Sequence, residues 1–132
     1  MSTVSHEVAV KDVENWLSYK RIRPKKIEKY EDFKATLVEA VEDGALVLNE
    51  DYSWTHNLSF PIESGDTLIN GFKYKPRVTV EEVGQKLKNA GTDADSRLLA
   101  YSAALAGVPI SVLAKMDTID SNISNAVAAF FM

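Results

Sequence analysis

His6 and His56 are the only histidines in the sequence, and the chain has no cysteine. Thiolate nucleophiles, thiolate metal sites and disulfides are therefore excluded. A zinc site would have to combine both imidazoles with carboxylates, but no HExxH-type spacing brings them together. Gly65, Gly71 and Gly84 fall into neither GxGxxG nor GxxxxGK(S/T), so no phosphate-cradling loop is written in the chain. The stretches DADS and DTID, with Asp93, Asp95, Asp117 and Asp120, share acid spacing with calcium loops but lack the glycine and the closing glutamate. Each of these acids stands where a helix start favours negative charge, which accounts for it without catalysis. These residues point to a protein that is not an enzyme and uses no metal or cofactor. His56, in a strand-like stretch, reads as structural.

The second chemistry on offer is electrostatic. Residues 20–29, KRIRPKKIEK, hold six of the fifteen basic residues: Lys20, Arg21, Arg23, Lys25, Lys26 and Lys29. Tyr19 and Tyr30 flank this run and offer rings for base stacking, so a nucleic-acid-binding module is the alternative reading. Residues 31–66 then carry nine acids against one base, Lys34, and the whole chain has a net charge of −4. Nucleic-acid modules usually show a domain-wide basic excess, which this chain lacks. The split in charge suits self-association, with one copy oriented against another.

The elements that must position these residues follow from periodicity. At 132 residues and 45% apolar content, the chain reads as a single domain spanning 1–132, with residues 1–10 flexible. Val13, Trp16 and Leu17 mark a short amphipathic helix that Pro24 ends. Tyr30, Phe33, Leu37, Val38 and Val41 mark a longer one closed by Gly44. Alternation through Trp54, His56 and Leu58 predicts a strand that Pro61 ends, after a turn at Asn49–Asp51. Asn70-Gly71 predicts a two-residue hairpin turn. From Thr79 onward the pattern is helical, with TVEE as a capping box and Gly107 as a helix stop. The fold class is α+β: N-terminal helices and a small antiparallel sheet with hairpins over 11–78, then a C-terminal cluster of about four helices over 79–132. No run is long and apolar enough to span a membrane, and the start has no secretory pattern, so no membrane association is expected.

The segment GVPISVLAKMDTIDSNISNAVAAFF is similar to a pattern of bacteriophage tail assembly chaperones. There a helix ends at a glycine, a short GLPxxxLxxL-like helix follows, and an Asp leads into a helix ending in Phe. Here Leu105 and Gly107 precede Val108-Pro109, Val112, Leu113 and Met116; Asp117 or Asp120, Ile123, Val127 and Phe130-Phe131 follow. VEDGALVLNEDYS, NLSFPI and YKPRVTVEEV extend the resemblance over residues 25–131. The Trp16 helix and the basic run match no shared pattern within it. The resemblance implies a non-catalytic protein of the host cytoplasm that keeps the tape measure protein soluble during tail morphogenesis. It also implies recruitment of tail tube protein and absence from the finished virion. Many such genes also yield a longer frameshifted product; ending at Met132, the chain would be the short form, or belong to a phage that uses no frameshift. Another phage structural or adaptor protein is the remaining alternative.

A holdase for helices needs an apolar surface able to accept a helix. The expected surface is Leu113, Met116, Ile123, Val127, Phe130 and Phe131, with the adjacent phenylalanines about 100° apart on a helix so that one serves the core and the other a partner. On that expectation, deleting residues 128–132 leaves the melting temperature nearly unchanged and abolishes association.

Overall fold

The computed structural model describes residues 3–132. Helix α1 (His6–Tyr19) begins where Ser5 accepts a hydrogen bond from the Val8 amide. The expectation of a flexible segment 1–10 gives way here to helix: Ala9 is fully buried and anchors the first turns, while residues 1 and 2 lie outside the described residues. Pro24 does more than end α1. It opens α2 (Pro24–Lys29), using the position where a missing N–H costs nothing. Tyr30, at φ −109° and ψ 34°, separates α2 from α3 (Glu31–Glu42). The Val4 amide donates to the Glu42 carbonyl, so α1 starts where α3 ends and the two helices run antiparallel.

A three-stranded antiparallel sheet follows in the order β1-β2-β3: β1 (Leu46–Leu48), β2 (Trp54–Ser64) and β3 (Thr67–Tyr74). The Asn49–Asp51 turn joins the first two strands as expected, with Leu48 opposite Trp54. The second hairpin turn is not at Asn70-Gly71. Ser64 pairs with Thr67 around Gly65-Asp66, and Gly65 takes φ +61°. Gly71 instead sits inside β3, opposite Asn57, where a Cβ would lie 2.4 Å from the His56 carbonyl oxygen. Its glycine serves close strand approach rather than a turn. Nor does Pro61 end β2: it lies in an irregularity between Asn57 and Ile62, where Leu58–Pro61 face only Asn70 on β3. A proline fits such a bulge because no ladder donor is needed there.

The helical half comprises α4 (Val80–Leu87), α5 (Ala94–Ala106), α6 (Ile110–Leu113) and α7 (Thr118–Ala129). Its local signals act as read. Thr79 and Glu82 form a capping box, Asp93 and Asp117 cap α5 and α7, and Gly107 closes α5 at φ +68°. The architecture is thus α+β, with N-terminal helices, a small antiparallel sheet and a C-terminal helical cluster. The buried residues form one cluster drawn from both halves, centred on Trp16, Trp54 and Phe130. Trp16 meets Trp54 at 5.6 Å and Phe130 at 6.0 Å, both edge-on, the geometry aromatic pairs prefer. Among the described residues, no helix is long and apolar enough to cross a membrane.

Candidate functional site

His56 and Asp120 are both fully buried, and with Tyr74 they form a polar centre beneath the sheet. His56 Nδ1 lies 2.7 Å from the Tyr74 hydroxyl, which its pairing Cα partner Phe72 brings alongside on β3. Burial pushes the Tyr74 phenol up, so it stays protonated, and with Nε2 turned toward the Asp120 carboxylate the matching tautomer has the phenol donating to Nδ1. The ring proton then sits on Nε2, which is 4.0 Å from Asp120 Oδ1 and has no hydrogen-bond partner. Burial lowers the His56 pKa to about 4 against the pull of the Asp120 carboxylate, so the imidazole is neutral at pH 7 and the pair is not an ion pair.

Asp120 has a different task. Its Oδ1 accepts the Ser59 amide at 2.8 Å and its Oδ2 accepts the Phe60 amide at 3.0 Å. These are two donors of the bulge in β2, freed from the ladder and captured by the first turn of α7. Both acids of DTID stand at the start of α7 as expected, Asp117 as its N-cap and Asp120 in its first turn, and Asp120 in addition closes the bulge. A His, an Asp and a Tyr at these distances have the parts for proton transfer, but all three are buried at 1% exposure or less. General acid–base catalysis requires substrate contact, and none of the three side chains reaches the surface. Among the described residues, no group of three or more His, Cys, Asp and Glu is placed to hold a metal ion.

The expected C-terminal surface is largely core. Leu113, Val127 and Phe130 are at most 1% exposed and Met116 is 9% exposed. Ile123 and Phe131 are half-buried, both packed against the same core. Four of the six residues therefore serve this chain's own interior: α7 packs against both α3 and α5, and α6 packs on α5. The two phenylalanines differ in depth: Phe130 is buried against Trp16 and Tyr30, whereas half-buried Phe131 also meets Trp16 and carries Lys20 over its ring.

The basic run divides in the same way. Arg21, Arg23, Lys25 and Lys29 are exposed, while Lys20 and Lys26 are half-buried. Lys20 Nζ stands 3.2 Å from the Phe131 ring centroid, a cation–π contact. Lys26 Nζ donates to the Met132 backbone oxygen. Arg77, which sequence reasoning did not nominate, joins them from the segment after β3: its guanidinium is 5.0 Å from the Tyr19 ring and donates to the Tyr19 carbonyl. Burial first, then the charges of Arg77 and Lys26, lower the Lys20 pKa to about 8. No Asp or Glu side chain pairs with Lys20, Lys26, Lys29 or Arg77 among the described residues.

Two further surfaces went unnominated. Phe60 and Leu68, in and beyond the bulge of the β2–β3 hairpin, are 51% and 55% exposed. Ile119, also 55% exposed, precedes the Asp120 that holds the Phe60 amide. The one signal for Phe60 in the sequence is a large apolar residue directly before Pro61, out of step with the Trp54–His56 alternation. The other surface is a groove of about 740 Å³ between α1 and α3, whose lining includes Glu31, Asp32, Glu39, Glu42 and Asp43. Comparison of the chain with family models, with curated proteins and with solved structures finds no match.

Proposed function

We propose that this chain is a non-catalytic assembly chaperone of the phage tail, holding an apolar helical stretch of a tape measure protein in the host cytoplasm. The observation that carries the reading is the apolar end of the β2–β3 hairpin, where Phe60 and Leu68 stand half out of the protein. Asp120 fixes the bulge that presents Phe60, so the side chain is offered from a rigid mount rather than a loose loop. Burying one such side chain is worth about 1.5–3 kcal/mol, enough for a contact that exchanges. Repeated by several copies along one long helical partner, contacts of that size become tight through avidity. The resemblance over residues 25–131 supports the same reading. In it the C-terminal helix is the mount, and the hairpin replaces Phe130 and its neighbours as the partner surface.

The test is affinity purification from cells co-expressing the neighbouring genes, using the wild-type chain and a Phe60→Ser/Leu68→Ser variant, with protein and nucleic acid both identified. The wild type is expected to retain a very long, helix-rich protein at several copies per partner chain, and the folded variant to lose it. Equal retention by the variant removes the hairpin from the reading. Nucleic acid in place of a protein partner overturns the reading itself.

A further inference from the structure

We infer that the cationic strip formed by Lys20, Lys26, Lys29 and Arg77 in one molecule docks on the acidic groove between α1 and α3 of a second copy, so that molecules associate head to tail. This does not depend on the chaperone reading.

The strip is assembled from three separate parts of the chain. Lys20 is the C-cap of α1, Lys26 and Lys29 belong to the last turn of α2, and Arg77 follows β3. Four cations converge with no Asp or Glu side chain paired to any of them, among the described residues. Like charges held together on a partly desolvated surface repel, and an approaching carboxylate relieves that cost.

The groove is the complementary surface. Five carboxylates, those of Glu31, Asp32, Glu39, Glu42 and Asp43, face two basic residues, His6 and Lys34. His6 is held by Glu42, and Lys34 reaches Glu14 at 3.7 Å, so most of the acidic charge is unpaired. The antiparallel packing of α1 on α3 puts Glu39, Glu42 and Asp43 beside the start of α1, while Lys20 sits at its end. Fourteen helical residues separate the two poles by roughly 21 Å. No side chain spans that distance, so the strip cannot neutralise that end of the groove within one molecule. A second copy can. Because the two surfaces differ, the contact is heterologous and repeats into a ring or an open array.

A second copy also fits the strip better than a nucleic-acid strand does. Tyr19 already stacks on Tyr52 at 4.2 Å and carries Arg77, and Tyr30 packs edge-on against Phe33 and Phe130, so the chain occupies the rings that bases would use. A net charge of −4 further opposes a polyanion.

The test is a charge swap read by light scattering on a sizing column. The wild type is expected at a multiple of 14.6 kDa in low salt and as single chains near 0.5 M salt, where screening is nearly complete. Lys26→Glu/Lys29→Glu and Glu39→Lys/Asp43→Lys are each expected as single chains in low salt. Mixed in equal amounts they present opposite strips and grooves again, and the larger species returns. That return also shows that both variants are folded. Single-chain mass for the wild type at every salt concentration overturns the inference, as does association that neither variant disturbs. If the wild type stays a single chain but binds a single-stranded oligonucleotide that Lys26→Glu/Lys29→Glu releases, the strip belongs to nucleic acid and the inference falls.

Discussion

Asp120 and Ser59 lie 61 positions apart in sequence, and the carboxylate of one accepts the amide of the other at 2.8 Å. With Phe60 donating to the second oxygen, one buried side chain satisfies both backbone donors that the β2 bulge removes from the ladder. Hydrogen bonds to a charged group contribute about 1.5–3 kcal/mol each. Asp120→Ala is therefore expected to lower stability by about 3 kcal/mol or more, measured by urea denaturation. Amide exchange should accelerate at Ser59 and Phe60 first. Asp120→Asn keeps one acceptor and should recover part of the loss.

His56 gives stability a pH dependence of known sign. Its pKa falls from 6.5 in the unfolded chain to about 4 in the fold, because burial opposes the charged ring. Between those values the unfolded chain binds the extra proton, so stability rises with pH across the window and is flat above it. Acidification from pH 6.5 to 4 should cost roughly 3 kcal/mol through this residue. His56→Gln should remove that part of the slope; an unchanged slope in the variant would assign the dependence elsewhere.

The two terminal phenylalanines should separate cleanly in calorimetry. Phe130 touches Trp16 and Tyr30 in the core, and Phe130→Ala is expected to cost about 3–5 kcal/mol. Half-buried Phe131 should cost less than half as much. Deleting residues 128–132 also removes buried Ala128 and Ala129, so the melting temperature should collapse, the reverse of the expectation for a free apolar tail.

Lys20 should titrate near pH 8, well below an ordinary lysine at 10.5. Arg77→Gln removes one of the neighbouring charges and should move the midpoint upward in an NMR titration of the side chain. The fold prefers the neutral amine more than the unfolded chain does, so this residue makes stability rise with pH between about 8 and 10.5. A midpoint that Arg77→Gln leaves in place would separate the guanidinium from the strip.

Two glycines should respond in opposite directions to alanine. At Gly84, inside α4, a Cβ meets nothing within 4 Å, and Gly84→Ala should stabilise the helix by about 0.5–1 kcal/mol. At Gly71 the new carbon would press on the His56 carbonyl at 2.4 Å, so Gly71→Ala should destabilise and disturb the β2–β3 register. Thermal melts of the two variants make the comparison.

The sequence by itself determined most of the helices, several of their caps and the fold class, because those depend on residues three or four positions apart; α2 and the first turns of α1 are settled by their packing. Thr79 with Glu82, Asp93, Asp117 and Gly107 each do locally what their types predict. Tertiary structure alone decided strand register and the fate of each apolar residue. Asn70-Gly71 has turn chemistry, yet Gly65-Asp66 makes the turn, since pairing across the whole strand outweighs one dipeptide's preference. Asp120 carries the same local signal as Asp117, and its partners come from a bulge that no short window contains. Phe130 and Leu113 look like a partner surface in sequence, but α7 packs on α3 and α5, α6 packs on α5, and both side chains end in the core. Periodicity tells which side of a helix is apolar; only the packing of distant elements determines what covers it.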